Sequence, residues 1–362
     1  MDSLLSNETL RNFPQKRVRM SGRRKPTMDD VAKAAGVSYA TVERVLNGRG
    51  GVSRAKEASV LDAARKLKID RALHEVSARW LRIAIVTQKP TSPYYVALRQ
   101  GFELAQKSFE TFRVLCNVTF FDDLEPPSLA SVIARVSQKA DAMIVVAYEH
   151  PLVVDAVSRV AKEIPVVCVA SDLPDCGRLA YVGIDNRCAG RIAGELMGRF
   201  VGPAGGQILV IAGLRTYLGH EQRDGAFRAV LRRRFPSCDV VATVESREDE
   251  RSTESLTREA FGKYPGLKGI YNLSVGDEGI ARALRAMKRQ DSTVVIGHEL
   301  SPVSRALLIE GVVDAVLDQS PFVEAIRAVE VILNHYNRGT ASGLPLQTPI
   351  SIYLQENLPP DL

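Results

Sequence analysis

Residues 27–47 read Thr27-Met28-Asp29-Asp30-Val31-Ala32-Lys33-Ala34-Ala35-Gly36-Val37-Ser38-Tyr39-Ala40-Thr41-Val42-Glu43-Arg44-Val45-Leu46-Asn47. Thr27, with Asp30 three residues on, is a capping arrangement that starts a helix. Val31, Ala32 and Ala35 then share one helical face. Gly36 permits a sharp turn, Val37 points inward, and Ser38 can cap a second helix. That helix is Tyr39–Leu46, with Val42, Val45 and Leu46 as its apolar face. Asn47-Gly48-Arg49-Gly50-Gly51 ends it, and Ser53 can cap a third helix from Arg54 to about Lys68. On the third, Val60, Leu61, Ala64 and Leu67 face inward. Two short helices about a glycine turn, followed by a third, make a helix-turn-helix.

The second helix is short enough for a major groove. Its outward residues are Tyr39, Ala40, Thr41 and Arg44. An Arg can donate two hydrogen bonds to a guanine edge, and small or aromatic side chains contact thymine methyls and base edges. Thr27, Ser38, Thr41, Asn47 and Ser53 stand at helix ends, where hydroxyls, amides and backbone N–H groups meet phosphates. On pattern alone, a three-helix cap that merely packs on the rest of the chain remains open.

The 27–47 stretch closely resembles the DNA-binding head of the LacI/GalR transcription-repressor family, which shows T-x-x-D-V-A-x-x-A-G-V-S-x-x-T-V-S-R-V-x-N. The departure is Glu43 where the family has Ser, an acidic group beside phosphate. The resemblance implies a small all-α, lambda-repressor-like head that reads double-stranded operator DNA. In that family a hinge helix follows, commonly R-P-N-x-x-A-R-x-L, which wedges a Leu into the minor groove. Residues 68–81 lack R-P-N. Either Leu73 is the wedge or the segment is a plain amphipathic linker. Trp80, the only Trp, reads as packing at the domain border.

The charge distribution agrees with a head of this kind. The 362 residues carry a net +6, too long a chain for one compact core. Residues 1–80 hold 17 Lys+Arg against 9 Asp+Glu, a net +8, and residues 81–362 hold 31 against 33, a net −2. Residues 1–25 lack periodicity and end in Lys16-Arg17-Val18-Arg19 and Arg23-Arg24-Lys25. They read as a disordered basic tail, or as an arm adding non-specific phosphate attraction. Five cysteines, at 116, 168, 176, 188 and 238, form no C-x-x-C pair. They imply a reducing compartment and no structural metal. No stretch reaches the roughly 20 apolar residues of a membrane span. Leu4-Leu5 is too short an apolar run for a signal peptide.

From Leu81 apolar runs of strand length alternate with helix-length segments. The strand candidates are Ile83–Val86, Val114–Phe121, Ala142–Ala147, Pro165–Ala170, Gln207–Ala212, Val240–Val244, Gly269–Leu273, Val294–Gly297 and Ala315–Leu317. Such a pattern argues for parallel sheets covered on both faces, and this length for two doubly wound lobes. Ligands of these sheets sit beyond the carboxyl ends of strands. Those ends carry Ser92, Tyr94 and Tyr95, then Asp172, Arg223, Asn272, Glu299 and Gln319. Rings can stack on the C–H faces of a polyol, while fork-shaped polar groups take hydroxyls in pairs. Taken singly, each is as well explained as a strand-end cap.

The body also resembles that family's sensor, a type I periplasmic-binding-protein fold. Ser92-Pro93-Tyr94-Tyr95 is similar to its N-P-F-F/W element, and Tyr181-Val182-Gly183-Ile184-Asp185-Asn186-Arg187-Cys188-Ala189-Gly190 to V-G-x-D-N-x-x-A-G. Arg223 and the Asp224-Gly225-Ala226-Phe227 that follow resemble R-x-x-G-F with Gly and Ala exchanged. Asp318-Gln319-Ser320-Pro321 matches a late ligand-side Gln, and Glu299 stands where relatives carry Asp. The resemblance spans about residues 27–356. It implies a sugar-like effector held by these residues between lobes. A sugar acid or phosphate would suit Arg223, whereas Glu299 favours neutral hydroxyls.

The expected division is a tail at 1–25, the head at 26–69, a linker at 70–81 and the body at 82–356. Lobe one takes 82–182 and 299–318, and lobe two takes 183–298 and 319–356. No catalytic residue, metal set or cofactor is expected. There is no G-x-x-x-x-G-K-[ST], G-x-S-x-G or H-E-x-x-H, and Gly202-Pro203-Ala204-Gly205-Gly206 precedes a strand. His150 and His220 lie in ligand-facing loops and read as surface or hydrogen-bonding residues. A sugar-transport binding protein would share the body but not the head. The reading is therefore a cytoplasmic, nucleoid-associated bacterial regulator. It would act as a homodimer, with a tetramer open, on a pseudo-palindrome, as a repressor controlled by a sugar-like effector.

Overall fold

A computed structural model describes residues 26–46, 51–67, 79–121, 125–338 and 345–360. The chain divides into two compact units between Arg79 and Trp80.

In the first unit, helix α1 spans Met28–Ala35, α2 Tyr39–Leu46 and α3 Arg54–Lys66. The Asp30 carboxylate accepts from both the Thr27 backbone N–H and the Thr27 hydroxyl, each at 2.8 Å. Gly36 ends α1 in the left-handed region at φ 65°, where a Cβ would be strained. The Ser38 hydroxyl accepts from the Thr41 N–H at 3.3 Å and starts α2. Val31, Ala32, Val42, Val45, Leu46, Val60, Ala63 and Ala64 form one buried cluster, in which Ala63 is an addition to the faces read from sequence.

In the second unit, strands β1 (Leu81–Gln88), β2 (Val114–Phe121), β3 (Ala142–Val145), β4 (Val166–Val169) and β5 (Ala180–Val182) form a parallel sheet in the order β2-β1-β3-β4-β5. Helices α4 (Pro93–Ser108), α5 (Pro126–Ser137) and α6 (Pro151–Ala161) cover it. The second sheet runs β11-β10-β9-β8-β6-β7. Its strands are β6 (Gly206–Ala212), β7 (Cys238–Glu245), β8 (Leu267–Asn272), β9 (Val294–His298), β10 (Ala315–Asp318) and β11 (Ser351–Tyr353), with only β11 antiparallel. Around it lie α7 (Asn186–Val201), α8 (Leu218–Arg234), α9 (Glu250–Lys263), α10 (Asp277–Met287) and α11 (Pro302–Ile309). The last helix, α12 (Pro321–His335), belongs to the first lobe. Its Ala325, Ala328, Val329, Ile332 and Leu333 share a core with Ile83, Ile85, Leu98 and Phe102.

Residues 299–335 are therefore divided the opposite way from expectation, whereas β11 stays in lobe two as expected. Residues 299–318 belong with the second sheet, because β10 pairs in parallel with β9. Residues 321–335 belong with the first, because the apolar face of α12 packs on α4. Strands β5 and β11, three residues each, were absent from the sequence reading. Three passages link the lobes, and they bond to one another. Thr348 N–H donates to the Gly183 carbonyl at 3.0 Å, and the Thr348 hydroxyl donates to the Gln319 carbonyl at 3.3 Å. Trp80 is 51 % exposed instead of packed. Leu73 and the rest of 68–78 lie outside the described residues. Among the described residues no helix is long and apolar enough to cross a membrane.

Candidate functional site

On the head, α2 turns its apolar residues inward and leaves Tyr39, Ala40 and Arg44 exposed on the other side. Thr41 is half-buried, its hydroxyl 2.9 Å from that of Ser38. Thr27 is half-buried and bonded to Asp30, and Ser53 is exposed just before α3. Asn47 lies outside the described residues. A convex helix face with an aromatic and an Arg, framed by hydroxyls at helix ends, has the groups that groove and phosphate contacts use.

On the body, the carboxyl ends of both sheets border a cavity of about 880 Å³. Six of the eight expected residues line it: Ser92, Tyr94, Tyr95, Arg223, Glu299 and Gln319. Ser92 caps α4 by accepting from the Tyr95 N–H. That cap, with Pro93 in the first turn, brings the two rings to the rim. They meet edge to face with centroids 5.0 Å apart. The Tyr94 hydroxyl donates to Glu324 Oε2 at 2.8 Å.

Arg223 is 4 % exposed, and its guanidinium ties three segments together. Nε donates to Asn186 Oδ1 at 2.7 Å, Nη1 to the Leu273 carbonyl at 2.9 Å and Nη2 to Gln319 Oε1 at 2.9 Å. Gln319 Nε2 in turn donates to Glu299 Oε1. Asn186 and Gln319 each border a passage between lobes, so one side chain on α8 grips two of the three. Gly190 makes this possible: a Cβ there would stand 2.2 Å from the Arg223 carbonyl oxygen, so only Gly lets α7 approach α8 at this point.

Two expected residues are not on the wall. Asp172 turns away to bind Arg178 through both carboxylate oxygens. The chain bends at Ala170, φ 65°, and presents Ala170 and Ser171 to the cavity instead. Asn272 is wholly buried behind the wall, where its Nδ2 donates to Asp277 Oδ1 at 2.7 Å and the Ser274 carbonyl at 2.9 Å. It positions Asp277, which does line the cavity.

Other wall residues were not assigned from sequence: Tyr217, His220, Glu248, Asp277 and His298. Three of them follow strand ends within a few residues, so a longer window after β6, β7 and β8 would have found them. Glu324, on the buried face of α12, has no comparable signal. Electrostatics here follow burial. It pushes Asp277 up to about 7 and Glu324 up to about 8. Burial, with Asp318 and Glu324 beside it, holds Glu299 well above the carboxylate range. Burial and Arg223 push His220 down to about 3, and His298 is lowered by the same causes.

A helix-turn-helix head and a two-lobed body with a cavity between its sheets define a DNA-binding regulator with a small-molecule sensor domain. The chain belongs to the periplasmic binding protein domain family, whose model matches residues 83–340, and its residues 27–68 match the model of bacterial regulatory proteins of the lacI family. It is 25 % identical over 292 residues to the ribose operon repressor of Halalkalibacterium halodurans, covering 78 % of this chain and 82 % of that protein. It is 23 % identical over 257 residues to the ribose import binding protein RbsB of Salmonella typhimurium, covering 69 % and 82 %. Among solved structures, the glucose-galactose binding protein GanP of Geobacillus stearothermophilus superposes with a TM-score of 0.69 at 20 % identity, over 78 % of this chain and 99 % of that one.

Proposed function

We propose that this regulator is a cytoplasmic repressor whose operator affinity is set by a small sugar or sugar derivative held in the 880 Å³ cavity. One observation carries the reading: Tyr94, Tyr95, Arg223, Glu299 and Gln319 converge on a single cavity bounded by both lobes of a binding-protein fold. The volume falls within the range of small-molecule sites. Aromatic rims with Arg, Gln and carboxyl groups match the stacking and paired hydrogen bonds of a polyol. Relatives named for ribose support the same class.

In this reading Thr27, Ser38, Tyr39, Ala40, Thr41, Arg44, Asn47 and Ser53 meet DNA, with Arg44 as the base reader. A homodimer would place two heads on a pseudo-palindrome, as two-fold symmetric regulators do. The effector shifts operator affinity only through its different affinity for the two states of the regulator. The test is a thermal-shift screen of the full chain against pentoses, hexoses, polyols and sugar acids. A sugar that raises the melting point, as binding to the folded state requires, supports the reading. Absence of any shift across the panel, with a folded protein, overturns it.

A further inference from the structure

The carboxyl groups on the cavity wall outnumber the cations. Glu248, Glu250, Asp277 and Glu299 all line it, and among the described residues none of the four is ion-paired with Lys or Arg. A fifth, Glu278, is drawn to Arg285 at 3.6 Å. Among the described residues Arg223 is the one Arg on the wall, and each of its three nitrogens donates to a neutral oxygen of the protein.

The fold makes room for these acids. A Cβ at residue 213 would stand 2.2 Å from Glu248 Oε1, and one at residue 297 would stand 2.9 Å from both Asp277 oxygens; both positions are Gly. Each carboxyl already accepts one bond from the protein. Ser274 donates to Glu248 at 2.6 Å, Gly279 N–H to Glu250 at 2.6 Å, Asn272 to Asp277 at 2.7 Å, and Gln319 to Glu299. Beyond that, Glu299 Oε2 is buried without a partner. So is Nδ1 of His298, a wall residue only 3 % exposed. Burial raises all four carboxyls and Glu250 raises Asp277 further, while Arg223 pulls Glu248 and Glu299 down in part and Arg282 does so for Glu250.

Carboxyls with so little opposite charge nearby are held towards the neutral form by burial, and a bound cation would supply the charge that lets them ionise. An ammonium group offers three donors and no acceptor, the complement of a wall rich in acceptors. Resting on the sugar-sensor reading, we propose that the effector carries an amine: an amino sugar or an amino-polyol whose ammonium faces Glu299 and the Glu248–Asp277 side of the cavity.

The test is calorimetric titration of the full chain with matched compounds. These are 2-amino-2-deoxyglucose, 2-amino-2-deoxygalactose and 1-amino-1-deoxyglucitol, each beside its hydroxyl parent and its N-acetyl form, with glucuronate as the acidic control. The expected result is that an amine binds at least tenfold tighter than both of its neutral counterparts. Glu299→Gln and, separately, Asp277→Asn should each remove most of that preference; the two nearly isosteric variants guard against a folding defect in either. If a hydroxyl parent or glucuronate binds as tightly as the amine, the charge assignment falls while the sugar-sensor reading stands. If none of these compounds binds, the charge assignment falls, and the sugar-sensor reading falls with it only where the thermal-shift panel also gives no shift.

Discussion

Arg44 and Arg223 are both arginines in a basic-headed chain, yet their surroundings give them different work. Arg44 stands exposed on α2 with Tyr39 and Ala40. Arg44→Ala should relax base preference at one operator position and cost about 1–3 kcal/mol there. Competition binding against single-base operator variants checks it, and an equal loss on operator and scrambled DNA would reduce Arg44 to a phosphate contact. Arg223 is buried and grips Asn186, Leu273 and Gln319. Arg223→Ala should abolish the effector response. An intact response, measured as the ligand-induced change in operator affinity, would remove Arg223 from the site. Its family motif made Arg223 legible, but its actual partners were not. They lie 37, 50 and 96 residues away, and no local pattern encodes those distances.

Helices of the head were readable because their signals are local. Thr27 with Asp30, Gly36 and Ser38 are caps and turns that act within four residues. The lobe boundaries were not, because β10 and α12 each suit either lobe by composition and only pairing and packing decide. The close approach of α7 and α8 falls between these cases. The small residues Ala189 and Gly190 were visible, but not what they face. Gly190→Ala should force α7 and α8 apart at Arg223, destabilise the body by about 1–3 kcal/mol and weaken ligand binding. Urea denaturation with and without ligand checks this. A neutral substitution would show that the helices have slack.

On α12, Glu324 is wholly buried and faces Tyr94 and, more distantly, Arg223, Glu299 and Asp318. Burial raises its folded value to about 8, against about 4.3 for an unfolded Glu. The folded state therefore holds the proton over that window. The stability this confers is complete below about 4.3 and is lost as pH rises through about 8. Glu324→Gln should flatten the fall of melting temperature between pH 5 and 9, and an unchanged slope would contradict the assignment.

Across the whole chain, a net charge of +6 conceals +8 in residues 1–80 and −2 in residues 81–362. That division suits a head that meets phosphate and a sensor that does not. Head and fold class were legible from end to end, since caps, apolar periodicity and strand-helix alternation are written along the chain. The wall of the cavity was legible only where a family motif or a strand end marked it. Asp172 misled because its position beyond β4 says nothing about Arg178, which captures it.

Coupling between cavity and head is what makes the protein a sensor and not merely a binder. The direct measurement is operator affinity, on DNA selected from a random pool by the full chain, with and without a sugar that raises the melting point. The expected result is a change of about 5- to 150-fold, the usual span of coupling between two sites. A sugar that saturates the cavity and leaves operator affinity unchanged would contradict control of the head by that ligand.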